Sequence, residues 1–286
     1  METNKILAFP EGRTRSDRHS SGLMNETEWN LINAGLPKYY SHIVSLYDKE
    51  KLFSCVVDFA RLALQFASTG ASDSADIRLL RTELHSRLFN AAIQTSAHDI
   101  AHSTLVLFTD QFLQASSLRT LVTRMCETSR AADLIEYPFI GLQDSVDSVL
   151  SAKCDSVVDV NAGVPYHQIL YAWRIKRGDY RGAAAVSFDR LQRIQLSNEA
   201  DKAFGQEALE TPVTQAYLAL INALSCVDPK QAWILTEPTG RKGVPQKRKV
   251  ITLEDVRQHY QEELDRIAAI ENNQFAFNGG DDMDML

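Results

Sequence analysis

Two histidines four residues apart, His98 and His102, flank an aspartate in the run His-Asp-Ile-Ala-His. On a helix that spacing puts both imidazoles on one face, the arrangement by which zinc proteases hold their metal, with Asp99 standing where those enzymes carry glutamate. A working centre needs a third ligand and a base that reaches the bound water. Aspartate is one methylene short and no downstream histidine completes the pattern, so the pair reads as an ordinary, partly exposed helix face. An all-α metalloenzyme centred on it is the weaker alternative. Ser187 and the other serines have no paired His and Asp, and neither GxGxxG nor GxxxxGK[ST] occurs, which leaves nucleophile and nucleotide chemistry without support. Cys55, Cys126, Cys154 and Cys226 stand far apart with no CxxC, so no zinc or redox pair is indicated and a reducing compartment is the simplest setting. Three of them sit in apolar periodic segments, where a buried thiol is the common case. Arg241, Lys242, Lys247, Arg248 and Lys249 form a basic loop without the interleaved aromatics that stack on bases, and a solvated loop is its expected role. Neither catalytic residue, metal, cofactor nor small-molecule substrate is expected, and the protein reads as a non-enzyme.

With 286 residues and 44% apolar content, the chain can bury a large core. Its 13 glycines and 8 prolines make up about 7% of the sequence, well below the roughly 12% of average usage. That shortage disfavours a turn-rich β-sandwich, and every proline falls where the apolar period breaks. A formal net charge of −7 argues against a general nucleic-acid binder and favours protein partners. No apolar run approaches the roughly 18 residues of a membrane span, and none is expected.

The elements are helical throughout. Residues 165–196 set the pattern: Tyr166, Ile169, Leu170 and Trp173 recur at steps of three and four up to Gly178, Asp179 can cap the next helix, and Tyr180, Ala184, Ser187, Phe188, Leu191 and Ile194 form a second stripe. A turn that short forces the two helices antiparallel. Phe59-Ala60-Arg61-Leu62 returns as Phe188-Asp189-Arg190-Leu191, which accords with stacked pairs. Further helices are expected over 26–33, 38–47, 50–67, 76–95, 98–113, 117–127, 131–136 and 142–154. Loops are expected at 68–74 and 155–164. Residues 197–210 read as a broken continuation of helix, 213–227 as a helix apolar on all sides, 231–235 as a compact apolar plug and 238–249 as the basic loop. Thr252-Leu253-Glu254-Asp255 then has the spacing of a capping box, with Asp in place of Glu, before a final helix to residue 270. The fold class expected is all-α, an irregular solenoid of stacked antiparallel helix pairs over 25–270, with a disordered or extended lead-in over 1–24 and a flexible acidic tail over 271–286.

Tyr217-Leu218-Ala219-Leu220-Ile221-Asn222-Ala223-Leu224, then Ala232-Trp233-Ile234, a basic loop and Leu253-Glu254-Asp255 before a long last helix, together resemble the C-terminal part of the 120/160-kilodalton scaffold nucleoporin family of the Y-shaped nuclear pore subcomplex. The hairpin with Arg-Gly-Asp-Tyr-Arg-Gly-Ala-Ala at its turn is similar to that family too. The resemblance implies the C-terminal part of a larger scaffold protein at the nuclear pore complex of the nuclear envelope. It implies a structural role in nucleocytoplasmic transport and mRNA export, with contacts to the second short-arm subunit and the stalk subunit at the hub of the Y. The partner-binding residues expected are Tyr217, Ile221, Trp233, Leu253, Val256, Tyr260, Leu264 and Ile267. A helical-repeat adaptor or vesicle-coat-like scaffold is the other reading of the same architecture.

Overall fold

A helix that ends on one residue in the left-handed region can turn back on itself within three residues, and this chain uses that device repeatedly. In the computed structural model, which describes residues 34–69, 75–197, 210–236 and 249–271, eleven α-helices and one two-stranded sheet are present among the described residues. The expected lead-in, the 26–33 helix, most of the 68–74 loop, the 197–210 continuation, nearly all of the basic loop and the acidic tail lie outside them. The helices divide into two units, Met1–Met125 and Cys126–Leu286.

In the first unit α1 (Leu36–Lys49) packs on α2 (Phe53–Thr69), α2 on α3 (Ala75–Gln94), and α3 on α4 (His98–Val106), followed by α5 (Gln111–Glu127). Pro37 stands in the first turn of α1, where its missing N–H costs nothing. At the end of α1 Lys51 adopts φ 56°, Leu52 N–H donates to Tyr47 O at 2.9 Å and Lys51 N–H to Asp48 O at 3.1 Å. This is a Schellman closure. The α3–α4 turn repeats it with Ser96 at φ 57° and Ala97 N–H on Ala92 O at 2.9 Å. Val44, Val56, Ala60, Ala63, Leu84 and Leu88 are buried between the first three helices. Half-buried rings line the same seam, with Tyr47 stacked on Phe59 at 5.3 Å and Tyr40 on Phe66 at 5.6 Å. Where one helix over 98–113 is expected, α4 ends at Val106 and α5 begins at Gln111, because the Asp110 carboxylate accepts from the Phe112 N–H at 2.8 Å and starts a new helix.

The second unit comprises α6 (Ala131–Glu136), α7 (Gln143–Ser156), α8 (Tyr166–Lys176), α9 (Tyr180–Leu196), α10 (Pro212–Ser225), strands β1 (Trp233–Thr236) and β2 (Lys249–Thr252), and α11 (Leu253–Glu271). Each helix from α7 onward packs on the next, and α6 packs on α8. The α8–α9 turn follows its sequence signals. Gly178 takes φ +77°, Asp179 N–H donates to Arg174 O at 2.9 Å, and the Asp179 carboxylate caps α9 through Gly182 N–H at 2.9 Å. A Cβ on Gly182 would crowd that carboxylate, so any other residue there requires the Asp179 side chain to shift. Trp173 is buried edge-on against Phe139, ring centroids 5.9 Å apart. Residues 157–165 are loop, as expected for the Val-Val-Asp-Val run.

The fold is therefore the all-α class of stacked helix pairs, with one addition. The compact plug at 231–235 is a strand, and Lys249, read as loop, begins its partner: Trp233 pairs with Thr252, Ile234 with Ile251, Leu235 with Val250 and Thr236 with Lys249 in antiparallel register.

Candidate protein-docking surface

The C-terminal end of the second unit gathers most of the residues expected to bind a partner, and its geometry starts from α10. Thr211 caps that helix by accepting from Thr214 N–H at 3.2 Å, and Pro212 occupies its first turn. Val213, Ala216, Tyr217, Leu220, Ala223 and Leu224 are buried, but the helix is not covered on all sides as expected, since Gln215, Leu218, Asn222 and Ser225 form an exposed face. Ala183 and Ala184 of α9 let α10 come close, and the Tyr171 hydroxyl donates to Ala219 O at 3.2 Å across from α8.

Strand alternation sorts the hairpin into two faces. Ile234 and Ile251, opposite one another, point into the core, and Leu235 and Val250, the next pair, point out at 47% and 48% exposure. Trp233 is half-buried with the Arg181 guanidinium 4.1 Å from its ring centre. Helix α11 leaves the hairpin through a reciprocal capping box, Thr252 N–H donating to Asp255 Oδ2 at 2.8 Å and Asp255 N–H to Thr252 Oγ1 at 3.3 Å. The Thr252 N–H and the Thr252 hydroxyl, which also donates to Asp255 Oδ2 at 2.8 Å, hold the Asp255 carboxyl below the usual carboxylate range. Leu253 N–H also donates to Ala232 O at 3.0 Å, which fixes the angle at which the helix departs.

The eight expected residues then separate. Tyr217 and Val256 are buried in the chain's own core, and Leu253, Tyr260 and Ile221 pack half-buried against it, Tyr260 with its ring 6.0 Å from Tyr217. Trp233, Leu264 and Ile267 are half-buried, the last two in the outer turns of α11. Leu218 of α10 and Leu235 and Val250 of the hairpin are exposed, Ile221, Leu264 and Ile267 are half-buried, and Val256 is buried in the core. Leu235 and Val250 were not singled out from the sequence, although the alternation in Trp-Ile-Leu-Thr and Lys-Val-Ile-Thr is the signal that finds them.

Polar side chains in this unit tie helices together. Arg174 grips Asp147 with two hydrogen bonds, 2.8 and 2.7 Å, and donates to Ser151 and to Gly182 O. Buried His167 meets the Asp189 carboxylate at 3.0 Å, and Arg193 donates to the same carboxylate at 2.8 Å. Ser151, His167, Arg174, Asp189 and Arg193 line an open groove of about 580 Å³ with Cys154, whose thiol burial pushes up to about 12. A thiol held protonated is a poor nucleophile. In the first unit His98 is buried, not partly exposed as expected, because it lies on the buried face of α4 with Ala101 and Leu105, and His102 is half-buried. Among the described residues no group of three or more His, Cys, Asp or Glu is placed to hold a metal ion, and no helix is long and apolar enough to cross a membrane.

Residues 5–127 match the family model described as Nucleoporin Nup120, HEAT repeats. The chain is similar to Nucleoporin NUP120 of Chaetomium thermophilum, 42% identical across 94% of this chain and 28% of that protein. It is also similar to Nuclear pore complex protein Nup160 of Mus musculus, 27% identical across 79% of this chain and 15% of the relative. Nucleoporin nup120 of Schizosaccharomyces pombe is 24% identical across 80% and 20%. The chain spans less than a third of the length of each of these relatives.

Proposed function

We propose, because this chain belongs to the Nup120/Nup160 family of nucleoporins, that it is a structural segment of the nuclear pore scaffold whose C-terminal helices dock other nucleoporins of the Y-shaped subcomplex. Its place is the nuclear pore complex, its role is structural and not catalytic, and its assembly there supports nucleocytoplasmic transport and mRNA export. The partners are the second short-arm subunit and the stalk subunit.

The observation that carries this reading is the outward hairpin pair Leu235 and Val250 in a segment otherwise well packed. A large apolar side chain withdrawn from water contributes about 1.5–3 kcal/mol before association costs, so a few such anchors suffice for a stable contact. Val256 and Tyr217 support the surface from beneath, while Ile221, Trp233, Leu253, Tyr260, Leu264 and Ile267 are available in part to what covers it.

Reconstitution with the other Y-subcomplex nucleoporins tests the reading. Co-elution of the chain with the short-arm or stalk subunit is expected. A Leu235→Asp, Val250→Asp, Leu264→Asp, Ile267→Asp variant should lose that capture with its circular dichroism unchanged, whereas Val256→Asp should damage the fold itself. Undiminished capture by the quadruple variant would move the docking face elsewhere, and a chain that ignores every Y component would sink the scaffold reading.

A further inference from the structure

We propose that the turn between α4 and α5 is a second docking site, one that takes an acidic amphipathic helix of another protein. It lies in the first unit and does not depend on the C-terminal surface. Helix connections are ordinarily polar because they face water. This one exposes Val106 at 54%, Leu107 at 59% and Phe112 at 89%, three large apolar side chains within seven residues. An exposed cluster of that kind marks an interaction site more often than a lone exposed leucine does.

Beside the turn lies a cavity of about 230 Å³, walled by Arg78, Arg81, Thr82 and His85 of α3 and by Phe108 and Leu113 on the other side. Phe108 is buried and packs edge-on against Phe89 at 5.9 Å, so that wall is rigid. A cavity of about 150 Å³ accommodates benzene, and this one has room for a leucine or phenylalanine side chain from a partner. The arrangement is that of an anchor residue entering a pocket while its helical neighbours rest on Leu107 and Phe112.

Charge selects the partner. Arg78 is exposed and makes no ion pair among the described residues, and Arg119 is exposed two turns beyond Phe112 on the same face of α5. The one carboxylate on the cavity wall, Asp110, is already held by the α5 N-terminus through Phe112 N–H at 2.8 Å and Leu113 N–H at 3.4 Å, where the helix dipole offsets its charge. The rim is therefore basic on a chain whose formal net charge is −7. An apolar stripe flanked by glutamates or aspartates complements it. An anionic lipid surface shares the charge but has no projecting side chain to fill the cavity.

The test uses the whole chain and a fluorescent synthetic helix of about 18 residues, with leucines at i, i+3, i+4 and i+7 and glutamates on the flanks, against the same stripe flanked by lysines. Anisotropy titration should show the glutamate helix binding, more weakly as salt rises, and the lysine helix binding at least about tenfold more weakly. Phe112→Ser and Arg78→Glu, both at exposed positions, should each weaken the glutamate helix about fivefold or more with circular dichroism unchanged. Equal binding of the two helices, no binding of the glutamate helix, or indifference to both substitutions would overturn the proposal. So would dimerisation of the chain abolished by Phe112→Ser, which assigns the turn to a second copy. Flotation on phosphatidylserine vesicles abolished by Arg78→Glu, without peptide binding, assigns it to lipid.

Discussion

The α1–α2 pair and the α8–α9 pair are the same hairpin written in different residues. Both turn within three residues through a Schellman closure, with i−5 bonds of 2.9 Å in each. Yet the first places Lys51 in the left-handed position and the second Gly178. The seams differ as well. Between α1 and α2 the contact is spread over half-buried rings, Tyr40, Tyr47, Phe59 and Phe66. Around α8 the packing rests on one fully buried indole, Trp173 against Phe139, and on the two-pronged Arg174–Asp147 pair to α7, with Arg174 also donating to Gly182 O of α9. A helix pair can thus be specified by many shared, replaceable contacts or by a few that nothing else duplicates, with the same backbone result.

The largest expected difference follows from that concentration. Trp173→Ala should destabilise the second unit by about 3–5 kcal/mol, because a buried ring leaves a cavity its neighbours cannot fill. Tyr47→Ala, at a half-buried ring with other stacked rings beside it, should cost less than half as much. Urea unfolding of each variant measures both. Equal losses would mean the two seams carry energy alike and the contrast is only one of appearance.

Next in size is the Arg174 network. Arg174→Met removes the guanidinium from Asp147, Ser151 and Gly182 O together and leaves Asp147 without its partner. A fully buried pair broken this way loses about 3–5 kcal/mol. Asp147 is about a third exposed, so water recovers part of that and about 1–2 kcal/mol is expected here. Adding Asp147→Ala should restore some stability, and a double-mutant cycle that shows strict additivity would deny the coupling.

Exchanging the turn residues is the finer probe. Gly178→Ala should cost about 0.5–1 kcal/mol, the penalty of about 1–2 kcal/mol for a Cβ in the left-handed region less the reduced freedom of the unfolded chain. Lys51→Gly should gain about 0.5 kcal/mol, since the relief of that same strain slightly exceeds the added freedom of the unfolded chain, about 0.4–1 kcal/mol. Thermal melts of the two variants should move in opposite directions. Movement in the same direction would show that Lys51 is held by contacts of its side chain and that the two turns are not equivalent.

The same contrast explains what the sequence made legible. Gly178 and Asp179 announce a helix end and a helix start, so the α8–α9 pair was readable nearly to the residue. Lys51 closes its helix through backbone geometry that its type does not advertise, and the expected boundaries there, 47 and 50, stand two and three residues from the observed 49 and 53, whereas at Ser96 the expected ends agree to within one residue. Asp110 was available as a cap signal, yet the unbroken apolar period through Val106, Leu107 and Phe108 hides the break. The β1–β2 hairpin was missed because its strands are four residues each and the segment between them is far longer than the two to five residues that mark a hairpin. For the docking surface, periodicity gave the apolar residues of α10 and α11. It could not say that Val256 faces inward and Leu264 less so, since that depends on where the hairpin lays the helix.

The smallest expected effect separates the two units by pH. Burial, aided by the nearby Arg81 charge, depresses the His85 pKa in α3 below its ordinary 6.5. The folded chain then binds fewer protons there than the unfolded chain, so the contribution of His85 is complete above about 6.5 and is lost as pH falls through the lowered value. In α9 burial pushes the Asp189 carboxyl up, but the hydrogen bond from His167, the Arg193 charge and the Arg193 hydrogen bond together hold it below 3.8. Its contribution is complete above about 3.8 and is lost only as pH falls through that lower value. Amides of α3 should therefore lose hydrogen-exchange protection, after correction for intrinsic rates, as pH falls below about 6.5. Amides of α9 should hold until the carboxylate range. His85→Gln removes the titrating group and should flatten the α3 response. If α3 in that variant still softens over the same interval, His85 is not the group responsible, and if α9 softens with it, the units do not differ in their response to acid.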